Sequence, residues 1–445
     1  MRSLFHQYKE PENQVTHALA VCLAEDPNLL REFVERWIGQ RPPGRKRLEV
    51  VEQHLPGDEQ AELAEDVAGK GGLPDICIHD GESWCLAIES KVGGNLAERQ
   101  LRRHEQSLKR RFPQVHVMAI IAREQKPAVF KEWLVKRWPG LYQWCRVTAV
   151  DSDWARRFAD YLEEMEAEMV EEGSLREGAL TTFLGVPFGP HRPYNYLEAK
   201  RILGVALGEL RQRQDLETLG VGPGCPGRGK ITGGEGVWDA LRLGWKTCES
   251  KIACCPGIAD PKHCLEKIQS FPHLNLGIGR TDVSAKLILP DKMVPKLTQS
   301  LCGLGYRQFL DLLQEVERGM SERLNATLGV DGWGPYLEVY QRHWHPPNPG
   351  GNAITDAAVT VDLRMIFSGE HDGNPGGVKS QPGWERAIEG AFEALAHKRG
   401  ANIELALGAK FPYRPCPAMA TPEALNHIAA VWMSCAPLIN ALFAG

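Results

Sequence analysis

The stretch Leu73–Lys91, L-P-D-I-C-I-H-D-G-E-S-W-C-L-A-I-E-S-K, constrains this chain more than any other. It reads as a strand, a short turn and a second strand. Ile76 and Ile78 alternate with Asp75 and Cys77; Trp84, Leu86 and Ile88 alternate with Cys85, Ala87, Glu89 and Lys91. Alternation with period two marks a half-buried strand pair. One face is then apolar, and the other presents Asp75, Glu89 and Lys91. Setting Ile76 beside Leu86 and Ile78 beside Trp84 places Asp75 opposite Ala87. Glu89 becomes its diagonal neighbour, with Cβ atoms about 7–8 Å apart or less. A two-residue turn at Asp80-Gly81 would send Glu89 to the wrong side. The spacing therefore predicts an odd loop, about three or five residues, with Gly81 at positive φ.

Two carboxylates at that spacing can share a hard cation, since Mg²⁺ is held by one or two carboxylates plus phosphate oxygens. Lys91 projects from the same face. Pro74-Asp75 followed by Glu89-Ser90-Lys91 resembles the PD-(D/E)XK nuclease superfamily. Gln100-Leu101-Arg102-Arg103-His104 is similar to the Gln-x-x-x-Tyr motif of its exonuclease branch, with His104 where Tyr is usual. The resemblance covers roughly the first 150 residues. It implies an α/β, restriction-endonuclease-like mixed sheet flanked by helices. It also implies that Asp75 and Glu89 bind Mg²⁺, with Mn²⁺ as a substitute, and that Lys91 orients the attacking water. Gln100 would support the metal or the substrate, and Glu12 on the first helix would face the metal. The ordinary account of Glu12 is an acid favoured by the helix dipole.

The substrate this implies is DNA, with RNA open, in defence against foreign DNA, restriction-like cutting or repair. A reading from another class is a nucleic-acid-binding or assembly protein whose nuclease fold cleaves poorly. A net charge of −5 means that any nucleic-acid contact comes from local basic patches. The helix from about Asn95 to Arg111 is the most basic, and Asn95 with Glu98 has capping-box spacing. Arg99, Arg102, Arg103 and His104 are its candidates for phosphate contact.

The 445 residues imply two or three domains, and 43% hydrophobic with 24% charged residues fits a soluble globular chain. No apolar run approaches membrane-spanning length, and the N-terminus lacks the apolar core of a signal peptide. A cytoplasmic protein without a membrane partner is expected, and a homo-oligomer stays open. The twelve cysteines read as reduced thiols.

In order, the pattern predicts helices over 10–25 and 27–38 and a strand over 48–55. The hairpin and the basic helix follow, then a strand over 115–122, a helix over 127–138 and a strand over 145–150. A long helix over 152–172 closes a nuclease-like domain, 1–172, with Gly173-Ser174 as linker. Residues 173–445 read as an α+β domain for recognition, sensing or oligomerisation. It carries helices over 194–214, 306–319 and 384–398, strands over 281–289, 357–367 and 402–411, and a last helix from Pro422. Gly224–Lys230 has phosphate-loop spacing, but Ile231 stands where Ser or Thr would bind Mg²⁺, which leaves a surface loop as the plainer account. Cys248, Cys254, Cys255, His263 and Cys264 crowd together without paired zinc-ligand spacing. His343 and His345 share one face of an extended segment and read as ordinary polar histidines.

Overall fold

A computed structural model describes residues 8–44, 46–52, 74–122, 133–222, 225, 227, 229–233, 236–243, 271–290, 293–344, 354–367, 388–393, 403–414 and 416–443. The chain divides into two compact units, Met1–Thr182 and Phe183–Gly445.

The first unit is mixed α/β. Its five-stranded sheet has the order β1 (Glu49–Glu52), β2 (Ile76–His79), β3 (Trp84–Lys91), β4 (Gln114–Ile121), β5 (Leu134–Arg137). The β1–β2 and β2–β3 pairs are antiparallel, whereas β3–β4 and β4–β5 are parallel. Helix α1 (Pro11–Glu25) starts on Pro11, whose missing N–H costs nothing there, and buries Val15, Leu19, Cys22 and Leu23. It packs against α5 (Asp153–Glu171), which is capped by the Ser152 hydroxyl on the Ala155 N–H. Helix α2 (Pro27–Glu32) passes into a π turn, Phe33–Ile38, ended by Gly39 at φ 82°.

Ile76 and Ile78 share a face with Leu86 and Ile88, as the alternation requires, but the pairing lies two residues from the expected one. Ile76 faces Ile88, Cys77 faces Ala87 and Ile78 faces Leu86. The cause is Asp80. Its Oδ1 accepts the N–H groups of Glu82, Ser83 and Trp84 at 3.0, 2.7 and 2.9 Å, and its Oδ2 accepts the Ser83 hydroxyl at 2.6 Å. The Asp80 N–H then closes on the Trp84 carbonyl at 3.1 Å. This leaves Gly81-Glu82-Ser83 as an odd loop, with Gly81 at φ 83°. Continuing the register one step sets Asp75 level with Glu89, not with Ala87.

Both faces of the hairpin are buried, where the sequence suggested one. Helix α3 (Glu98–Lys109) covers the acid-bearing face, packing Leu101 and Leu108 against Cys77, Cys85 and Ala87. It begins at Ala97 with no side-chain cap, so the Asn95–Glu98 capping box is not formed.

Two expected elements are exchanged further on. Residues 134–137, expected in a helix, form β5, and 145–147, expected in a strand, lie in helix α4 (Trp138–Val147). Trp138, Leu141, Tyr142 and Cys145 recur at i, i+3, i+4, i+7 and are all buried, with Pro139 in the opening turn. Helical periodicity there overrides the β-branched run that follows it. The expected linker at Gly173-Ser174 belongs inside the first unit. Buried Glu166 accepts the N–H groups of Gly178, Leu180 and Thr181 and the Thr181 hydroxyl, at 2.7–3.1 Å.

In the second unit, helix α6 (Tyr196–Leu210) precedes a seven-stranded antiparallel sheet. Its order is β11 (Ile354–Asp362), β10 (Gly334–Trp344), β12 (Ile403–Pro412), β9 (Asp282–Leu289), β8 (His273–Gly279), β7 (Gly236–Arg242), β6 (Ile231–Gly233). One sheet face packs Leu274, Leu287, Leu337 and Leu407 into a core shared with α6, α7 (Pro295–Gly303) and α8 (Gly305–Ser321). The strand expected over 357–367 stops at Asp362, where the Asp362 carboxylate accepts the Arg364 N–H and opens the short helix α9 (Leu363–Phe367). Helices α10 (Ala424–Ser434) and α11 (Ala436–Phe443) close the core with Trp432, Leu438 and Leu442. No single described helix is long and apolar enough to cross a membrane, although α10 and α11, bent by 44°, have the length and composition together.

Lys230 runs directly into strand β6, whereas a phosphate-binding loop needs a helix N-terminus at that point. The described cysteines are free, and all but Cys302 are buried. Cys248, Cys254, Cys255, His263, Cys264 and His345, and the side chain of His343, lie outside the described residues.

Candidate active site

The site forms where β3 leaves the sheet. Glu89 and Lys91 are two residues apart on one strand, so they share a face. Asp75 immediately precedes β2, and its Oδ2 accepts the Ser90 N–H at 2.8 Å.

Glu89 is almost fully buried, 1% exposed, and both its oxygens are engaged. Oε1 meets the Lys91 ammonium at 2.7 Å and accepts the Gln100 amide at 2.7 Å. Oε2 lies 3.0 Å from His104 Nε2. The ammonium of Lys91 also pairs with Glu12 Oε1 at 3.0 Å, and Glu12 Oε2 accepts the Val92 N–H at 2.8 Å. Glu12 thus reaches the site from α1, where it clamps Lys91 and the end of β3. Gln100 and His104 reach it from α3, four residues apart and hence one turn apart on one side of the helix.

The electrostatics are those of acids crowded around one cation. Burial, together with the nearby Glu89 charge, pushes the Asp75 carboxyl up to about 7, against the lowering by the Ser90 N–H and Lys91. Lys91 is partly desolvated, but Glu89 and Glu12 outweigh that cost and hold it well above the usual lysine range. It is an ammonium at any physiological pH.

A divalent cation fits this donor set. Asp75 Oδ1 has no hydrogen-bond donor among the described residues, and Glu89 Oε2 takes a single donor, which leaves it acceptor capacity. An added positive charge would relieve the repulsion that raises Asp75. Among the described residues no three or more His, Cys, Asp or Glu side chains gather closely enough to hold a metal alone. The fit is therefore to Mg²⁺, which takes one or two carboxylates and completes its shell with water and substrate phosphate.

Two of the four residues expected to touch nucleic acid do something else. His104 is completely buried, so it cannot meet a phosphate; it holds Glu89. Arg102 directs Nε and Nη2 onto Glu98 Oε1 at 2.9 and 2.7 Å, and its guanidinium lies 5.1 Å from the Trp133 ring centre. Arg99 and Arg103 are exposed. Arg110, part of the same basic run, is exposed too. Arg99, Arg103, Gln106 and Arg110 stand at i, i+4, i+7, i+11, a single stripe opposite buried Leu101 and Leu108. The helix's acids lie off that stripe and are spent locally, Glu98 on Arg102 and Glu105 on Lys109. The i, i+4, i+7, i+11 period in the sequence is what sets these arginines apart from Arg102.

Comparison with known proteins returns nothing: no family model matches the chain, and neither a curated protein nor a solved structure does.

Proposed function

We propose that the first unit is a metal-dependent nuclease of the PD-(D/E)XK type that hydrolyses phosphodiester bonds in DNA. The observation that carries this reading is the Lys91 ammonium shared by Glu89 and Glu12, with the Asp75 carboxylate bonded to the N–H of Ser90 beside them. Asp75 and Glu89 are the residues that would hold Mg²⁺ or Mn²⁺. Such an ion, when bound, polarises the scissile phosphate and acidifies a bound water. Lys91, held charged by its two carboxylates, positions the attacking water and offsets charge that develops on the phosphate. Gln100 and His104 fix the Glu89 carboxylate, and Glu12 fixes Lys91. Arg99, Arg103 and Arg110 supply the sequence-independent backbone contacts that an overall acidic chain otherwise lacks. Antiviral defence and DNA processing are the settings that suit such an enzyme.

The test is incubation of the purified protein with plasmid, linear duplex, single-stranded DNA and RNA, with and without Mg²⁺ or Mn²⁺. Wild type should cut DNA only with metal, and D75A and K91A should not cut. Cleavage by D75A at the wild-type rate removes the assignment.

One observation favours a second reading, a nucleic-acid-binding or assembly module that cleaves poorly. Glu89 is already bonded by Lys91, Gln100 and His104, so metal entry competes with three donors. Metal-independent DNA binding without cleavage would select it.

A further inference from the structure

Strand β3 ends at Lys91, and the chain crosses to helix α3 through Val92-Gly93-Gly94-Asn95. Two glycines in succession need a reason, because glycine gives up more freedom on folding than any other residue. A fold demands glycine where the backbone is left-handed or where a side chain would collide. Gly81, in the loop of the hairpin, meets the first demand at φ 83°. Gly408 meets the second, since a Cβ there would lie 2.1 Å from the Ala285 carbonyl oxygen.

Gly93 and Gly94 meet neither. Both lie outside the left-handed region. A Cβ at Gly93 has no atom within 4 Å, and one at Gly94 has the Lys91 Cδ at 3.7 Å, an ordinary contact. Both residues are exposed, and neither N–H has a backbone acceptor among the described residues. The fold would accept a side chain at either position. Glycine also lets a backbone come close to a ligand, and the place suits that use.

The strip starts from a fixed point. Glu12 Oε2 accepts the Val92 N–H at 2.8 Å, and the Lys91 carbonyl accepts the Ala122 N–H at 2.9 Å. Gly94 rests against the stem of Lys91, whose ammonium Glu89 and Glu12 hold. A group seated on Gly94 is therefore beside that lysine. Backbone N–H groups are regular donors to nucleic-acid phosphates. They supply donors without adding a cation that would compete with a metal ion for the carboxylates.

We propose that Gly93 and Gly94 seat the DNA strand, their N–H groups donating to a phosphate beside the scissile one and their bare backbone letting the strand come that close. This rests on the nuclease reading and names the part of the site that positions its substrate.

The test measures binding and cleavage separately. In a K91A background, which keeps DNA uncut with Mg²⁺ present, fluorescence anisotropy gives the affinity for labelled duplex and single strand. G93L should weaken binding at least about tenfold, the loss of one hydrogen bond to a charged group, and G93A by less. G303L, at an equally open, exposed glycine of the second unit, should leave it unchanged. G93A should melt at or above the temperature of its parent, because the backbone accepts the side chain and the unfolded chain loses freedom. A parent that binds no DNA overturns the proposal, and so does G93L binding like its parent. Equal losses in G93A and G93L overturn it too, since stiffening rather than bulk then acts, as does a G93A melt several degrees below its parent. The nuclease reading fails separately. If wild type never cuts but G93L loses binding, the strip stands as a DNA contact; if wild type and G93L cut and bind alike, the nuclease stands and the strip falls.

Discussion

Glu12 and Lys91 are 79 residues apart in the chain and 3.0 Å apart in the fold. The helix that opens the first unit thereby reaches the end of its central hairpin and grips Lys91. Replacing Glu12 with Gln keeps the shape but drops one of the two charges that hold the ammonium. Metal-dependent cleavage by E12Q should fall about 10–100-fold, the usual loss when a group supporting a metal site is removed. Steady-state rates on linear duplex at saturating Mg²⁺ would show it; an unchanged rate removes Glu12 from the site.

Asp75 makes stability depend on pH in an unusual direction. Burial and Glu89 hold its folded pKa up to about 7, while an unfolded Asp titrates near ~3.9. A raised folded pKa means the folded chain binds the proton more tightly. Its contribution is fully present below about pH 4 and is lost as pH rises to about 7. In metal-free buffer the melting temperature of wild type minus that of D75N should therefore decrease from pH 4 to pH 7 and level off above. At pH 8, Mg²⁺ should raise the melting temperature of wild type and leave D75N unmoved. A difference that stays flat with pH refutes the assignment.

The arginine stripe separates from its neighbour by salt dependence. Each arginine that releases a counterion contributes about 0.9 to the slope of log affinity against log salt on duplex DNA. Substituting Arg99, Arg103 and Arg110 together by Gln should reduce that slope by about 2–3. R102Q should leave it unchanged, because Arg102 is bound to Glu98 and rests on Trp133. Fluorescence anisotropy across a salt series distinguishes the two, and equal slopes for the triple variant and wild type would exclude the stripe.

Asp80 is the fastening of the hairpin. It is 8% exposed and accepts four hydrogen bonds. Burial works against its ionised form, but the Ser83 hydroxyl and the backbone N–H groups of Trp84, Glu82 and Ser83 win and depress its pKa. D80A should cost about 2–4 kcal/mol in denaturant unfolding near pH 7. The penalty should shrink as the solution is acidified below about pH 4, because a depressed carboxyl loses its contribution as it protonates. A cost under about 0.5 kcal/mol, the size of an ordinary surface change, contradicts that role.

Much of the first unit could be read ahead of the coordinates because its signals are local. Ile76, Ile78, Leu86 and Ile88 alternate, so their shared face and the odd loop at Gly81 followed from parity alone. Register did not, since a slip of two residues keeps every side chain on its face; the Asp80 hydrogen bonds that choose between the alternatives carry no periodic mark. The exchange of β5 and α4 has another cause. Val135 and Val147 both have strand preference, and only the packing of Trp138, Leu141 and Cys145 decides which becomes helical. His104 looked like a surface candidate because basic residues flank it, yet its position one turn from Gln100 turns it inward to Glu89.

The Glu166 carboxylate decides where this chain can be severed. A cut at Gly173 would carry away Gly178, Leu180 and Thr181 and leave Glu166 with none of its four donors. A cut after Thr182 takes the whole cradle along. Limited proteolysis that frees an intact N-terminal fragment should therefore stop at the later position, and a gene fragment meant to express that unit should end there.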